Sequence, residues 1–542
     1  MSKTEKPIAP VVAKKASKER SPVGWFIHHT LVSIKSVFKK HPRLTKTMLI
    51  VVPLVLLHIR WAYQPFIHGV RIYFGAILTV MVLTGITWFT TRKQTIRVRG
   101  TATFVCLLLT SVALARLEPV NRYIASFQQY QTLEIVDLRL LPTTANERVL
   151  PLNAVHSLIR ERMDESQLRP TVPDLVHTKH GDVWTIAVQP ARFVGRMTGS
   201  VGEIMSIPAT SPSPDFSRTN PIRVRFRTGE EMLFSNNLHS CTLRSFGPWR
   251  FLNHEPSNIL YMQDDTGEWI QVVSLIKWSG LFFPRPEFGG VQIVRQEGKR
   301  PHWTELLRPL IGCGEYVSPR NVSKHTFLRG QNLVAPQVTR FVAESFRFQE
   351  GFTGPLPGVH SGDVRIPNLP DDVNPQPFTL HFKMPGEKIG ALYAYFALEP
   401  FDPEKQGLAT SLFIPADGSR LIYQYQHSTR GTKLIGVSTV GPKVEESKKN
   451  YDWTRFRPVE HRPFIRKFSN RKGEVTERLF WMTTVVAVKQ TESEVGAMEF
   501  ITGATPEIAI TDARTGVVVW VDPLQSKAWP TELQSRLGNT WE

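Results

Sequence analysis

Ile72 to Phe89 is a run of eighteen residues without a charge, and it constrains the fold of this chain more than any other feature. A helix of about that length is what crosses a hydrocarbon core of roughly 30 Å. Two weaker apolar runs flank it, Thr47 to Ile59 and Thr101 to Ala115. Pro53 interrupts the first, and His58 and Arg60 close it early. Trp61 and Tyr63 just beyond suit the headgroup level, which lets that helix continue past Arg60. The third ends at Arg116 and needs its flanking cations to snorkel. The expected anchor is therefore α-helical, with about three transmembrane helices near 47–65, 72–90 and 101–116. One true span with two buried core helices is the alternative, because short apolar runs read either way.

The charge follows the same division. Residues 1–120 hold 18 Lys and Arg against 3 acids, whereas the remaining 422 residues hold 48 against 44. The net charge of +19 thus belongs to the apolar end of the chain. Basic residues that flank apolar runs are the mark of cytoplasmic loops, which makes lipid the expected partner and excludes nucleic acid. Eleven Lys and Arg precede the first run, and Arg92, Lys93, Arg97 and Arg99 lie between the second and third. The link between the first two runs has only Arg60 and Arg71, at its edges. The positive-inside rule then places the N-terminus in the cytoplasm, and three crossings leave the C-terminal region extracytoplasmic.

Residues 1–22 are mostly Lys, Ala, Pro and Ser and read as a disordered basic tail. Residues 23–46 read as an amphipathic basic helix lying in the interface, with Ile27, Leu31, Ile34 and Phe38 at helical spacing. Trp25, Lys35, Lys39, Lys40, Arg43 and Lys46 are its expected contacts with the membrane surface, drawn to anionic lipid. A plain cytoplasmic helix packed on another protein is the competing reading.

From residue 117 onward the pattern is a large β-rich α+β globular region. Glu118 to Gln131 can extend the third helix outward, since Tyr123, Phe127 and Tyr130 recur at spacings of four and three. A helix is expected from Leu152 to about Gln167. Strands are expected at Thr132–Leu141, Val183–Val188, Ile222–Phe226, Trp269–Trp278, Val291–Val294, Phe378–Phe382, Leu392–Leu398, Leu421–Tyr425, Phe480–Val488 and Val517–Val521, where β-branched and aromatic residues sit between Gly, Pro and Asp clusters. Pro355, Pro357, Pro367, Pro370, Pro375 and Pro377 make 351–377 a Pro-rich linker or loop. It divides an exported α+β lobe at 117–350 from a β-rich lobe at 378–542; the alternative is one domain crossed by a long surface loop.

Catalytic motifs are missing from the sequence: it has no Gly-x-Ser-x-Gly elbow, no His-Glu-x-x-His, no phosphate-binding glycine loop and no dinucleotide fingerprint. His254-Glu255 is followed by Pro256, which ends any likeness to a metalloprotease helix. His177 and His180 with Asp182 can bring two imidazoles near one metal, although neighbouring histidines in a turn are ordinarily solvated. His360, Ser361, Gly362 and Asp363, with Asp371 and Asp372, offer oxygen and nitrogen donors on a loop, without EF-hand spacing. Glu445 and Glu446 beside Lys448 and Lys449 read as a solvated surface. Glu460 and His461 are adjacent, so on an extended chain they point to opposite faces and do not form a general-base pair. Cys241 and Cys313 can form a disulfide in an oxidising compartment, and the absence of Cys-x-x-Cys excludes covalent haem and zinc ribbons.

No catalytic residue, cofactor or metal ligand is therefore assigned from sequence. The leading expectation is an integral membrane protein whose exported domain is a non-enzymatic binding, scaffold or assembly component of the cell envelope. It would act on a protein partner, or as a homo-oligomer, outside the cytoplasm. The second is a membrane-tethered hydrolase with an extracytoplasmic site built from dispersed His, Asp and Glu, since such groups commonly meet only in the fold.

Overall fold

Apolar residues at helical spacing govern the chain up to Gln131, and strands take over after it. The computed structural model describes residues 47, 51–56 and 58–521, less 117, 153, 156–158, 160–166, 212–220, 297–311, 353–359, 361, 370–375, 388, 403–406, 428–432, 470–474, 491–497 and 501–506. The tail at 1–22, the basic helix with Trp25, Lys35, Lys39, Lys40, Arg43 and Lys46, and Asp371 and Asp372 lie outside the described residues. Met1–Ile59 and Arg60–Glu542 are separate units. In the first, residues 51–56 are helical. The elements from Arg60 onward belong to the second.

Its first helix, α1, is Arg60–Ile72. Gln64 and His68, one turn apart, lie on its buried face. Gln64 Nε2 donates to the carbonyl of His254 at 2.9 Å, and His68 Nε2 lies 3.2 Å from the carbonyl of Phe251. Trp61 packs against the core, and the Tyr63 and Phe251 rings meet edge to face at 5.9 Å. Trp61 and Tyr63 thus face protein.

Helices α2 (Phe74–Thr90) and α3 (Ile96–Arg116) follow as a hairpin, joined through Thr87 Oγ1 and Cys106 Sγ at 3.2 Å. Most of their described large apolar side chains face outward: Met81, Phe89, Phe104 and Leu109 are each at least 64% exposed. Among the described residues no helix is both long and apolar enough to cross a membrane. The apolar α2 has 17 residues, and the 21-residue α3 includes Arg97, Arg99 and Arg116. The three spans expected at 47–65, 72–90 and 101–116 therefore have no such helix to support them. Apolar composition was legible there, but it does not fix helix length or where a helix turns onto protein.

Helix α4 (Glu118–Gln131) sets Tyr123, Phe127 and Tyr130 against a second aromatic row. Tyr123 and Phe127 meet Phe348 at 4.7 and 5.4 Å, and Tyr130 meets Phe346 at 5.6 Å. Edge-to-face contacts of this kind add to simple burial.

Among the described residues the strands form four sheets. Strands β1 (Glu134–Asp137) and β2 (Thr143–Thr144) precede the first of these and join a later one. Strands β3 (Leu168–Pro170), β4 (Asp174–Thr178), β5 (Gly181–Pro190), β6 (Val201–Pro208) and β7 (Ile222–Phe226) form an antiparallel sheet ordered β3-β5-β6-β7, with β4 also on β5. Between β5 and β6 lies the short α5 (Phe193–Thr198), and after β7 come α6 (Leu238–Ser245) and α7 (Pro248–Asn253). Strands β8 (His254–Gln263), β9 (Trp269–Ser279), β10 (Arg285–Arg295) and β11 (Glu315–Val317) make an antiparallel meander. After α8 (Pro336–Ser345) come β12 (Val364–Arg365), β13 (Phe378–Lys383), β14 (Ala391–Pro400), β15 (Thr410–Pro415) and β16 (Leu421–Gln426). These order as β1-β16-β15-β14-β13-β2, with β12 on β14 and β1 parallel to β16. Past α9 (Val440–Ser447), the last sheet is β17 (Phe456–Ser469), β18 (Val475–Gln490), β20 (Glu507–Asp512) and β21 (Val518–Val521), with β19 (Met498–Phe500) on β18.

The cores follow from strand periodicity. Along β14, Tyr393, Tyr395 and Ala397 face one way and pack with Phe382, Phe413, Trp481 and Val485. Ala394, Phe396 and Leu398 face the other and pack with Val342 and Phe346 at the end of α8. Burial on both faces is why this strand reads as a continuous apolar run. A third core joins Ala187, Ile204 and Phe226 to Ile259, Tyr261 and Val273, with Cys241 and Cys313 inside it. Those two cysteines form a disulfide with a Cα separation of 5.4 Å.

Candidate functional site

The tight hairpin β4–β5 builds the best-defined cluster of chemistry-bearing side chains. Lys179 and His180 form its turn, and Gly181 follows at φ +115°, a conformation that favours glycine. His177 and Asp182 are direct cross-strand partners, so their side chains share one face. His177 Nδ1 lies 2.7 Å from Asp182 Oδ1. Strand β13 supplies the third member. Leu380 and Phe382 point into the core with Trp481, and His381 between them points the opposite way. Its Nδ1 lies 3.3 Å from the same Asp182 oxygen, and the two imidazoles meet edge to face at 4.5 Å.

Several contacts hold these groups in place. The Gln331 amide clamps His177 by accepting from its backbone N–H at 2.9 Å and donating to its carbonyl at 2.7 Å. A Cβ at Gly390 would come within 2.4 Å of His381 Nε2, so only glycine leaves room for that ring. Asn146, at φ +50°, brings its side-chain nitrogen to 3.3 Å from His381 Nδ1. Burial alone would raise the Asp182 carboxyl, but hydrogen bonds and charge from His177 and His381 hold it below the usual carboxylate range. Asp182 and His381 are buried, while the His177 side chain stays 27% exposed and gives the cluster an opening to solvent.

His177 and Asp182 do come together, as their spacing allowed. The second imidazole is His381 and not His180, which is exposed on the turn. His381 lies 199 residues from Asp182 and carried no local sign beyond a histidine within an alternating strand.

The second cluster is at His360 and Asp363, joined by Glu350. His360 Nδ1 and Asp363 Oδ1 are 3.6 Å apart, and among the described residues neither atom has a closer hydrogen-bond partner. Burial pushes the Asp363 carboxyl up, against the pull of His360. Glu350 is exposed at the edge of this group.

The remaining groups singled out in the sequence lie apart from these two clusters. His254 is buried between the rings of Phe246 and Tyr316, and Glu255 accepts from Trp278 Nε1 at 3.1 Å. At the bulge between Val459 and Arg462 in β17, Glu460 adopts φ +50°. Its carboxylate accepts from Arg148 at 2.7 Å, Arg462 at 3.0 Å and the Leu152 N–H at 2.9 Å. His461 points elsewhere, to Thr483 Oγ1 at 2.9 Å, and burial with the neighbouring Arg462 charge lowers its pKa to about 4. Glu445, Glu446, Lys448 and Lys449 lie in and just after α9; Lys448 pairs with Glu507 and sits over the Trp520 ring at 4.1 Å.

Exposed apolar side chains also occur outside the α2–α3 hairpin. Phe282, at the tip of the β9–β10 hairpin, meets Phe74 at 6.5 Å and is itself half exposed with Leu281. On α1 and α7, Phe66 is 74% and Trp249 79% exposed.

No family model matches this chain, and no curated protein matches it. Among solved structures it is similar to an uncharacterized protein from Eubacterium rectale, with 8% identity over 70% of this chain and 85% of that one. The TM-score is 0.16, a level at which the likeness says nothing about fold or function.

Proposed function

We propose that this is a membrane-anchored protein whose β-rich region is displayed outside the cytoplasm as a non-enzymatic binding, scaffold or assembly component of the cell envelope. The outward-facing apolar side chains of α2 and α3 carry this reading. In water, burying Met81, Phe89, Phe104 and Leu109 would be favourable by about 1.5–3 kcal/mol for each large side chain. A bilayer supplies that burial. Helix α2 alone spans about 25 Å at 1.5 Å per residue. Local thinning and snorkelling of Arg92 and Lys93 offset the shortfall. Phe66, Trp249, Leu281 and Phe282 suit the headgroup level around it.

Two further observations support the topology. The Cys241–Cys313 disulfide fits an oxidising compartment on the far side of the membrane. The cations at the N-terminus and between α2 and α3 fit the cytoplasmic side, beside anionic lipid. Extraction of membranes at alkaline pH tests the anchor. Retention of the full chain in the pellet supports it, and complete release into the supernatant refutes it.

A membrane-tethered hydrolase is a second reading, favoured by the convergence of His177, Asp182 and His381 beside solvent. Asp182→Asn would abolish any hydrolytic activity found in the purified protein, and activity that survives this change would remove the reading.

A further inference from the structure

We propose that His177, Asp182 and His381 form a binding site for a divalent transition metal ion of the zinc type, with three protein ligands and one position open to water. The inference is independent of the membrane anchor. Two imidazoles and one carboxylate are a donor set suited to zinc, and three protein ligands with a free fourth position is the pattern of an open site. The donor atoms of the three residues all lie within 4.8 Å of one another.

One donor separation already matches such a site. With metal–ligand bonds of 2.0–2.2 Å, neighbouring donors of a tetrahedral zinc site are about 3.3 Å apart. The His381 Nδ1 to Asp182 Oδ1 separation is 3.3 Å. The 2.7 Å between His177 Nδ1 and Asp182 Oδ1 must open by roughly half an ångström, a small rotation for the more exposed ring.

Hydrogen bonding around His381 is compatible with an ion. Its Nδ1 lies 3.3 Å from the amide nitrogen of Asn146, a donor, and 3.3 Å from Asp182 Oδ1, an acceptor. A single ring nitrogen satisfies one or the other: unprotonated it accepts from Asn146, protonated it donates to Asp182. A cation between the unprotonated ring nitrogen and the carboxylate oxygen would take up a lone pair from each. The surroundings are those of a held site, since Gln331 fixes the His177 backbone and Gly390 fixes the space for the His381 ring.

Such an ion would tie the β4–β5 hairpin to β13, and so join two sheets from distant parts of the chain. The partly exposed His177 would leave the ion reachable by water, and a water bound there would be acidified.

The test uses the full chain in detergent, stripped with chelator and titrated with zinc chloride by calorimetry. A cobalt-loaded sample reports tetrahedral geometry by its visible absorption. The expected result is one ion per chain, with affinity at least about 100-fold weaker in both Asp182→Asn and His381→Gln, a loss beyond that of an outer-shell change. His180→Gln, on the exposed turn, should bind as the wild type does. If Asp182→Asn fails to fold, His177→Gln at the most exposed ligand gives the same reading. Absence of stoichiometric binding, or equal affinity in wild type, His177→Gln and His381→Gln, would overturn the proposal.

Discussion

Acid should destabilise this protein through His461, by an amount that follows from where the ring sits. It lies within the β17–β18 pair, 5% exposed, with its Nδ1 on Thr483 and the Arg462 guanidinium next in the chain. Burial and that charge lower its pKa to about 4 in the folded protein. In the unfolded chain a histidine titrates near 6.5. Between those two values the unfolded chain binds a proton that the folded protein refuses, so stability falls as pH falls through that window. It is unaffected above it and levels off below it. At 1.36 kcal/mol per pH unit the full loss is about 3 kcal/mol. His461→Gln removes the titration, and carboxylates that titrate in the same range cancel between the two proteins. Denaturation of wild type and His461→Gln at pH 7, 5.5 and 4 measures the difference. The wild type should lose about 3 kcal/mol more than the variant between pH 7 and pH 4. Equal losses in the two proteins would refute the assignment of a neutral, buried imidazole.

Glu460→Gln leaves Arg148 and Arg462 buried without their shared carboxylate, and should cost about 3–5 kcal/mol, read as a fall in melting temperature. Reduction of the Cys241–Cys313 disulfide opens a loop closed over 72 residues and should cost about 4 kcal/mol on a chain-entropy basis, measured by melting with and without reductant. Leu83→Arg in the middle of α2 should weaken membrane insertion by about 3 kcal/mol, visible as a larger fraction of chain released by alkaline extraction.

The strands that were legible in the sequence are those whose apolar residues form an unbroken or alternating run. Ile222–Phe226 has those bounds in the structure, and Leu392–Leu398 lies within β14 because both of its faces are buried. Strand β17 was not legible. Its Arg457, Pro458, Glu460, His461, Arg462, Pro463, Arg466 and Lys467 look like a loop. The strand exists because β18 pairs along nearly its whole length and because the buried Glu460 carboxylate accepts from both Arg148 and Arg462. Partners distant in sequence were equally hidden. Strands β1 and β2 precede the Pro-rich segment at 351–377, yet they pair with β16 and β13 beyond it. The candidate metal site divides in the same way. His177 and Asp182 face each other across a two-residue turn, which local spacing carries, whereas His381 arrives from another sheet, which only the folded chain reveals.

Protease protection in sealed vesicles of known orientation tests most directly whether the β-rich region lies outside the cytoplasm. On the proposed topology, three crossings with a cytoplasmic N-terminus, protease added to the extracytoplasmic face should cleave the region after Gln131, and protease on the cytoplasmic face should leave it intact. Cleavage of that region only from the cytoplasmic face would contradict the exported arrangement, and with it the proposed role in the cell envelope.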